Sequence, residues 1–127
     1  MDKLLQEALK YVTNNTSYST LNCSQYVKKV FEKFGYDMKD NAASQYADSR
    51  YKFISNLSDI QKGDILCFDT TETDDATDGK MVCDHTAIYY GSNIFLESSQ
   101  IAGKVKTNSF TTNPWYKGRF MGARRVF

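Results

Sequence analysis

The chain has 127 residues, a length that suits one domain spanning 1–127 and a core without disulfide staples. Apolar residues make up 41% of it, and the formal charge is +1, from 16 basic and 15 acidic side chains. That composition excludes a disordered segment and supplies no net field for nucleic acid or an anionic membrane. No run approaches the ~18 apolar residues of a membrane span. Three cysteines with no CxxC or Cys/His cluster argue against a disulfide scaffold and a structural zinc. No metal or cofactor is expected, and the chain reads as a monomer.

In chain order, Leu4, Leu5, Ala8, Tyr11 and Val12 predict a first helix over 2–13. Met1 to Glu7 lacks the apolar run and cleavage site of a signal peptide. The expectation is a start in the cytoplasm, or a chain trimmed from a longer protein. After a polar break at 14–17, Tyr26, Val27, Val30, Phe31 and Phe34 recur three or four apart and predict a second helix, with Asn22 as N-cap and Gly35 as its end. Cys23 then lies in the first turn, where free backbone N–H groups and the positive helix end favour a thiolate. A small buried core residue is the alternative for a cysteine here.

Residues 41–49 predict a short third helix, and 51–57 an irregular or briefly extended stretch. Ile65 to Phe68 follows the Lys62-Gly63-Asp64 turn as a short strand. The acid-rich stretch 69–79 lacks EF-hand spacing and reads as a solvated loop. Met81–Tyr90 and Asn93–Ser98 read as a hairpin, 104–107 as a weak strand, and Arg119–Phe127 as a closing strand preceded by a loop holding Pro114 and Trp115. Lys117, Arg119, Arg124 and Arg125 read as a solvated strand end. Helices first and strands after predict an α+β fold with an antiparallel sheet.

His85 is the one histidine of the chain. A helix-start cysteine and a strand histidine are the minimum for a thiolate–imidazolium pair, which needs a third group to orient the ring. Asp84 points to the opposite face by alternation. A three-residue loop, Tyr90-Gly91-Ser92, would set Glu97 opposite His85. A two-residue loop, Gly91-Ser92, would set Ser98 there instead. Cys67 reads as core packing, and Cys83 as an inert neighbour of the site. Trp115 and Tyr116 either line a substrate groove or cover the core edge.

Taken together, these stretches resemble the NlpC/P60 family of papain-like cysteine peptidases, from about Tyr18 to the C-terminus. Leu21-Asn22-Cys23-Ser24-Gln25-Tyr26-Val27 is similar to the nucleophile motif, Gln61-Lys62-Gly63-Asp64 to the Pro-Gly-Asp turn, Asp84-His85-Thr86-Ala87-Ile88-Tyr89 to the histidine strand, and Phe120 to Val126 to the closing strand. The resemblance implies helices packed on a central antiparallel sheet and hydrolysis of peptidoglycan stem peptides, at D-γ-glutamyl–diamino acid bonds, with cytoplasmic synthesis and action at the cell wall as a phage lysin or tail component, or as an extracellular domain of a larger wall enzyme. It makes Cys23 the nucleophile, His85 the base and Glu97 the third polar group, with Tyr18, Asn22, Ser24 and Trp115 as substrate contacts. Asn22 and Gln25 depart from the usual Asp and Gly of the motif. Glu97 is also similar to the glutamate of CHAP amidase triads. The alternatives are therefore an amidase or acyltransferase with the same dyad, or a non-catalytic phage-tail or wall-associated module.

Overall fold

A computed structural model of the chain describes residues 2–70 and 82–127. The expectations for the acidic loop over 71–79, and for a strand beginning at Met81, fall outside the described residues. The elements are helix α1 (Asp2–Thr13), α2 (Cys23–Glu32), α3 (Ala42–Tyr46), strand β1 (Lys52–Ile54), a 3₁₀ turn (Leu57–Asp59), β2 (Ile65–Phe68), β3 (His85–Gly91), β4 (Ile94–Ser99), β5 (Lys104–Ser109), helix α4 (Trp115–Arg119) and β6 (Phe120–Arg125). The strands form one antiparallel sheet in the order β1-β6-β2-β3-β4-β5. This is the α+β arrangement that the order of elements in the sequence leads one to expect.

Strand alternation sorts the core into two layers. Ile65, Ile88, Leu96 and Val105 meet Leu4, Leu5 and Ala8 of α1 and Tyr26, Val27, Val30 and Phe31 of α2. The opposite face carries Leu66, Phe68, Ala87, Tyr89 and Phe95, closed over by Phe110 and Ala123. There Phe95 sits 4.9 Å from Phe110 and 5.2 Å from Tyr116, ring centre to ring centre, in tilted and edge-on contacts. Truncating such a ring leaves a cavity, and Phe95→Ala would cost about 3–5 kcal/mol. His85 and Glu97 belong to this second face, at the strand ends where α2 begins.

The closing arginines are not a solvated end. Arg125 makes two 2.8 Å bonds to the buried Asp64 carboxylate, tying β6 to the turn before β2. Arg124 donates to the Tyr46 and Tyr51 carbonyls and lies 4.9 Å over the Phe53 ring. Their spacing looked polar in sequence because a guanidinium hides its partners there.

Other boundaries shift for local reasons. The third helix is shorter than 41–49, with Asn41 as its cap accepting from Ser44 N. The stretch around Trp115 is helical rather than a loop, because Pro114, at φ −65°, starts a turn that Trp115 continues. The fifth strand runs past Thr107 to Ser109, paired all along with β4. The hairpin turn is Ser92-Asn93, both with positive φ (53° and 66°), and Gly91 at φ 99° follows an extra residue, Tyr90, in β3. Neither of the two loops expected from the sequence is the one formed.

Candidate active site

The first turn of α2 is built by a capping box. The Asn22 side chain accepts from Gln25 N at 3.0 Å, and the Gln25 side chain accepts from Asn22 N at 2.9 Å. Ser24 is buried; its hydroxyl bonds Asn22 Oδ1 and the Asp40 carbonyl. Asn22 and Ser24, expected as substrate contacts, thus turn their polar atoms into the cap, away from the cleft. Ser98 takes the Leu21 carbonyl from the sheet, fixing the helix start against β4. These bonds leave Cys23 at the helix tip with only 7% of its surface exposed.

His85 comes to that tip from β3. Its Nε2 donates to Glu97 Oε1 at 2.7 Å, and the ring lies beside the Cys23 thiol, near enough for each to shift the other's proton affinity. The Cys23 Sγ also lies 3.7 Å from the Asp84 carbonyl, and the N–H groups of Thr86 and Ser24 point at it. Burial alone would raise the Cys23 pKa; the hydrogen bond and charge of His85, with those two N–H groups, outweigh it and bring the pKa below that of an ordinary thiol. Burial likewise opposes charge on His85, but its bonds to Cys23 and Glu97 push the ring up to about 10. Both shifts favour the thiolate–imidazolium form.

Glu97 is 1% exposed and needs both oxygens satisfied. Its Oε2 accepts from Asn108 Nδ2 at 2.6 Å, and Asn108 Oδ1 is held in turn by Asn113 Nδ2 and Ser109 N. Tyr116 lies close by; burial first and the Glu97 charge second raise its phenol to about 12. The sequence reading missed Asn108 because the alternation seemed to stop at Thr107. The available signal was its register: Asn108 faces Phe95, two residues from Glu97 on the same side of the sheet.

The dyad opens into a cleft of about 210 Å³ whose walls include Tyr18, Thr70, Asp84, Ile101, Trp115 and Tyr116. Tyr18 feels the sulfur: burial first, then the Cys23 charge, raise its phenol. Trp115 is half exposed at the rim with the Arg119 guanidinium 5.5 Å from its ring centre, so it lines the groove. Asp84 turns its carboxylate to Thr70, accepting from N and Oγ1 at 2.8 Å each, and is no third member for His85. A roomier groove beside Phe34, Tyr36 and Phe127 holds neither a cysteine nor a histidine. Among the described residues no cluster of His, Cys, Asp and Glu is arranged to hold a metal ion, and no helix is long and apolar enough to cross a membrane.

A helix-tip cysteine, a strand histidine and a buried carboxylate define a papain-like arrangement. The sequence pattern of the NlpC/P60 family matches residues 8–125, and the chain belongs to that family. It is 25% identical over 128 residues to murein DD-endopeptidase MepH of Escherichia coli K12, covering 99% of this chain and 44% of that protein. It is similar in structure to an NLP/P60 family, lipoprotein-like protein of Staphylococcus aureus Mu50, with TM-score 0.73 and 27% identity, covering 98% of this chain and 40% of the other. The NlpC/p60 domain of the peptidoglycan hydrolase SagA shares the fold, with TM-score 0.71 and 22% identity over 97% of this chain and 96% of that one. The chain spans less than half the length of the E. coli and S. aureus proteins.

Proposed function

We propose that this chain is a cysteine endopeptidase that hydrolyses peptidoglycan stem peptides and acts at the cell wall. The observation that carries the reading is the placement of Cys23 beside His85 on one cleft, with His85 bonded to the buried Glu97 and Glu97 to Asn108. Family membership and relatives named for peptidoglycan or murein hydrolysis supply the substrate class.

In this mechanism the Cys23 thiolate attacks the amide carbon and forms a thioester. Protonated His85 Nδ1 gives its proton to the leaving amine. Neutral His85 then takes a proton from water as that water attacks the thioester, and the thiolate leaves. Glu97 keeps the ring oriented and favours its charged form. The capping box leaves out the Cys23 N–H, which is the natural donor to the developing oxyanion. The Tyr18 phenol, beside the sulfur, is the second.

The scissile bond we favour is D-γ-glutamyl–diamino acid, within one stem. The DD-endopeptidase name of the E. coli relative favours a second reading, cleavage between two D-configured residues. Digests of purified muropeptides, read by product mass, separate the two: the first shortens a stem, the second splits a cross-linked dimer into monomers. Cleavage abolished in Cys23→Ala is the expected result. A wild-type protein with a reactive Cys23 that cleaves no peptidoglycan, but transfers acyl groups to another acceptor, would overturn it.

A further inference from the structure

Gln45 lies outside the cleft, on α3, and is 3% exposed. Its side chain makes a set of bonds that no core requirement explains. Nε2 donates to the Ser24 carbonyl and to the Lys39 carbonyl, each at 3.0 Å. Oε1 accepts from the Thr86 hydroxyl at 2.9 Å. Ser24 follows Cys23 on the helix, and Thr86 follows His85 on the strand. One amide therefore joins the two residues next to the dyad, one on each element. Burying an amide is costly unless it is satisfied, and here its partners lie on the two elements whose separation the chemistry depends on.

We infer that Gln45 is a positioning residue, a strut that sets how far the Cys23-bearing helix end stands from the His85-bearing strand. The inference rests on the proposed Cys23–His85 pair but not on the substrate. Thr86 has a double part. Its side chain is held by Gln45, while its own N–H points at the Cys23 sulfur, so the strut also places a donor that favours the thiolate. Among the described residues the ionisable side chains around the pair are Tyr18, Cys83, Asp84, Glu97 and Tyr116, and the Gln45 bonds reach none of them. A change at Gln45 therefore acts through geometry and leaves the surrounding charges as they were.

Two substrate-free readouts test this. One is the rate at which iodoacetamide alkylates Cys23 at pH 6, with the modified peptide identified by mass. The other is the NMR titration of the His85 ring. Thr86→Val removes the hydroxyl and keeps the shape, so it cuts only the strand end of the strut. It should slow alkylation by about tenfold or more, as small misplacements in catalytic pairs do, and lower the pH at which His85 loses its proton. Thr86→Ser, which keeps the hydroxyl, should restore both. Gln45→Met cuts both ends and should slow alkylation at least as much. Thr86→Val that is folded and alkylates at the wild-type rate overturns the strut. So does Thr86→Ser behaving like Thr86→Val, which would assign the effect to the methyl group, and so does a Thr86→Val that fails to fold, which would assign the hydroxyl to stability. A wild-type protein inert toward peptidoglycan but sensitive in these assays would defeat the substrate and leave the strut; the reverse pattern would defeat the strut alone.

Discussion

Glu97 reaches His85 diagonally, not from directly across the sheet. With Ile88 opposite Leu96 and Tyr89 opposite Phe95, the same register carried to the strand ends sets Ser99 opposite His85 and Ala87 opposite Glu97. The 2.7 Å bond spans that two-residue offset on one face, a reach open to long side chains. The hairpin sets this parity. Beyond the Ser92-Asn93 turn Gly91 faces Ile94, a register that would have turned Glu97 toward the helices; the extra residue at Tyr90 turns it back to His85.

Gly91 should therefore resist substitution. It sits at φ 99°, and an added Cβ would stand 2.9 Å from Lys62 Cε. The Lys62 side chain is flexible and can give way, so the backbone strain dominates. Gly91→Ala should cost about 1–2 kcal/mol, lowering Tm by roughly 3–10 °C in calorimetry. An unchanged Tm would show that the bulge does not depend on that conformation.

The Glu97 charge should be readable on His85, whose ring signals are unique in a chain with one histidine. Glu97→Gln retains an acceptor oxygen but loses the negative charge that helps raise the ring to about 10. The ring should then titrate lower, by about one to three pH units. The alkaline limb of any peptidase activity should move down with it. A His85 titration that is the same in both proteins would remove Glu97 from the role given to it.

Activity should follow a bell in pH. The acid limb reports Cys23, lowered from an ordinary thiol, and the alkaline limb reports His85 near 10. Stability carries the matching sign. The folded-state pKa of His85 lies above its unfolded value, so its contribution is full below about 6.5. It is lost as pH rises through the folded value of about 10. The lowered pKa of Cys23 offsets that loss up to the unfolded thiol value of about 8.5, so Tm should fall chiefly above about 8.5 in the wild type, whereas in Cys23→Ala the fall should begin near 6.5. Equal slopes in both proteins would contradict the ion pair.

Asn108→Leu should strand Glu97 Oε2, a buried carboxylate oxygen whose 2.6 Å donor is Asn108. Leaving such an acceptor unmet costs about 1–3 kcal/mol, and more for a charged group. Urea unfolding should show that loss, and kcat should drop with KM little changed, since Asn108 acts through Glu97. A raised KM at constant kcat would place Asn108 in substrate binding instead.

Arg125→Met should be the most disruptive change away from the cleft. It leaves the fully buried Asp64 carboxylate without its two-bond partner, at a cost of about 3–5 kcal/mol. The loss should appear in the denaturant midpoint while the His85 titration of the folded protein stays where it was. A midpoint within error of wild type would make the pair dispensable.

What the sequence revealed and what it concealed divide along physical lines. Periodicity located α1 and α2 because their buried faces repeat with the helix, and Asn22 announced its cap by residue type. Alternation alone left Glu97 and Ser98 both open for the face of His85; the register that forms is even, as a three-residue loop's would be, and so Glu97 shares that face. Hidden were the bonds made by single polar side chains across long sequence separations: Arg125 to Asp64, Asn108 to Glu97, Gln45 to Ser24 and Thr86. Ser24 was expected at the substrate because its motif places it beside the nucleophile, but helical geometry turns it inward. No pattern along the chain specifies such partners; only the folded distance does.

The three cysteine sulfurs of this chain will not share the same fate under oxidation. Cys67 and Cys83 are sealed in a small apolar cluster with Ala42, shielded from peroxide, and burial also pushes the Cys67 thiol well up. Cys23 lies on a cleft with its thiol shifted toward the thiolate, and a sulfenic acid would form there first. With Cys23 as the proposed nucleophile, that position is the point at which an oxidising environment would silence the protein, and from which a thiol reductant would revive it.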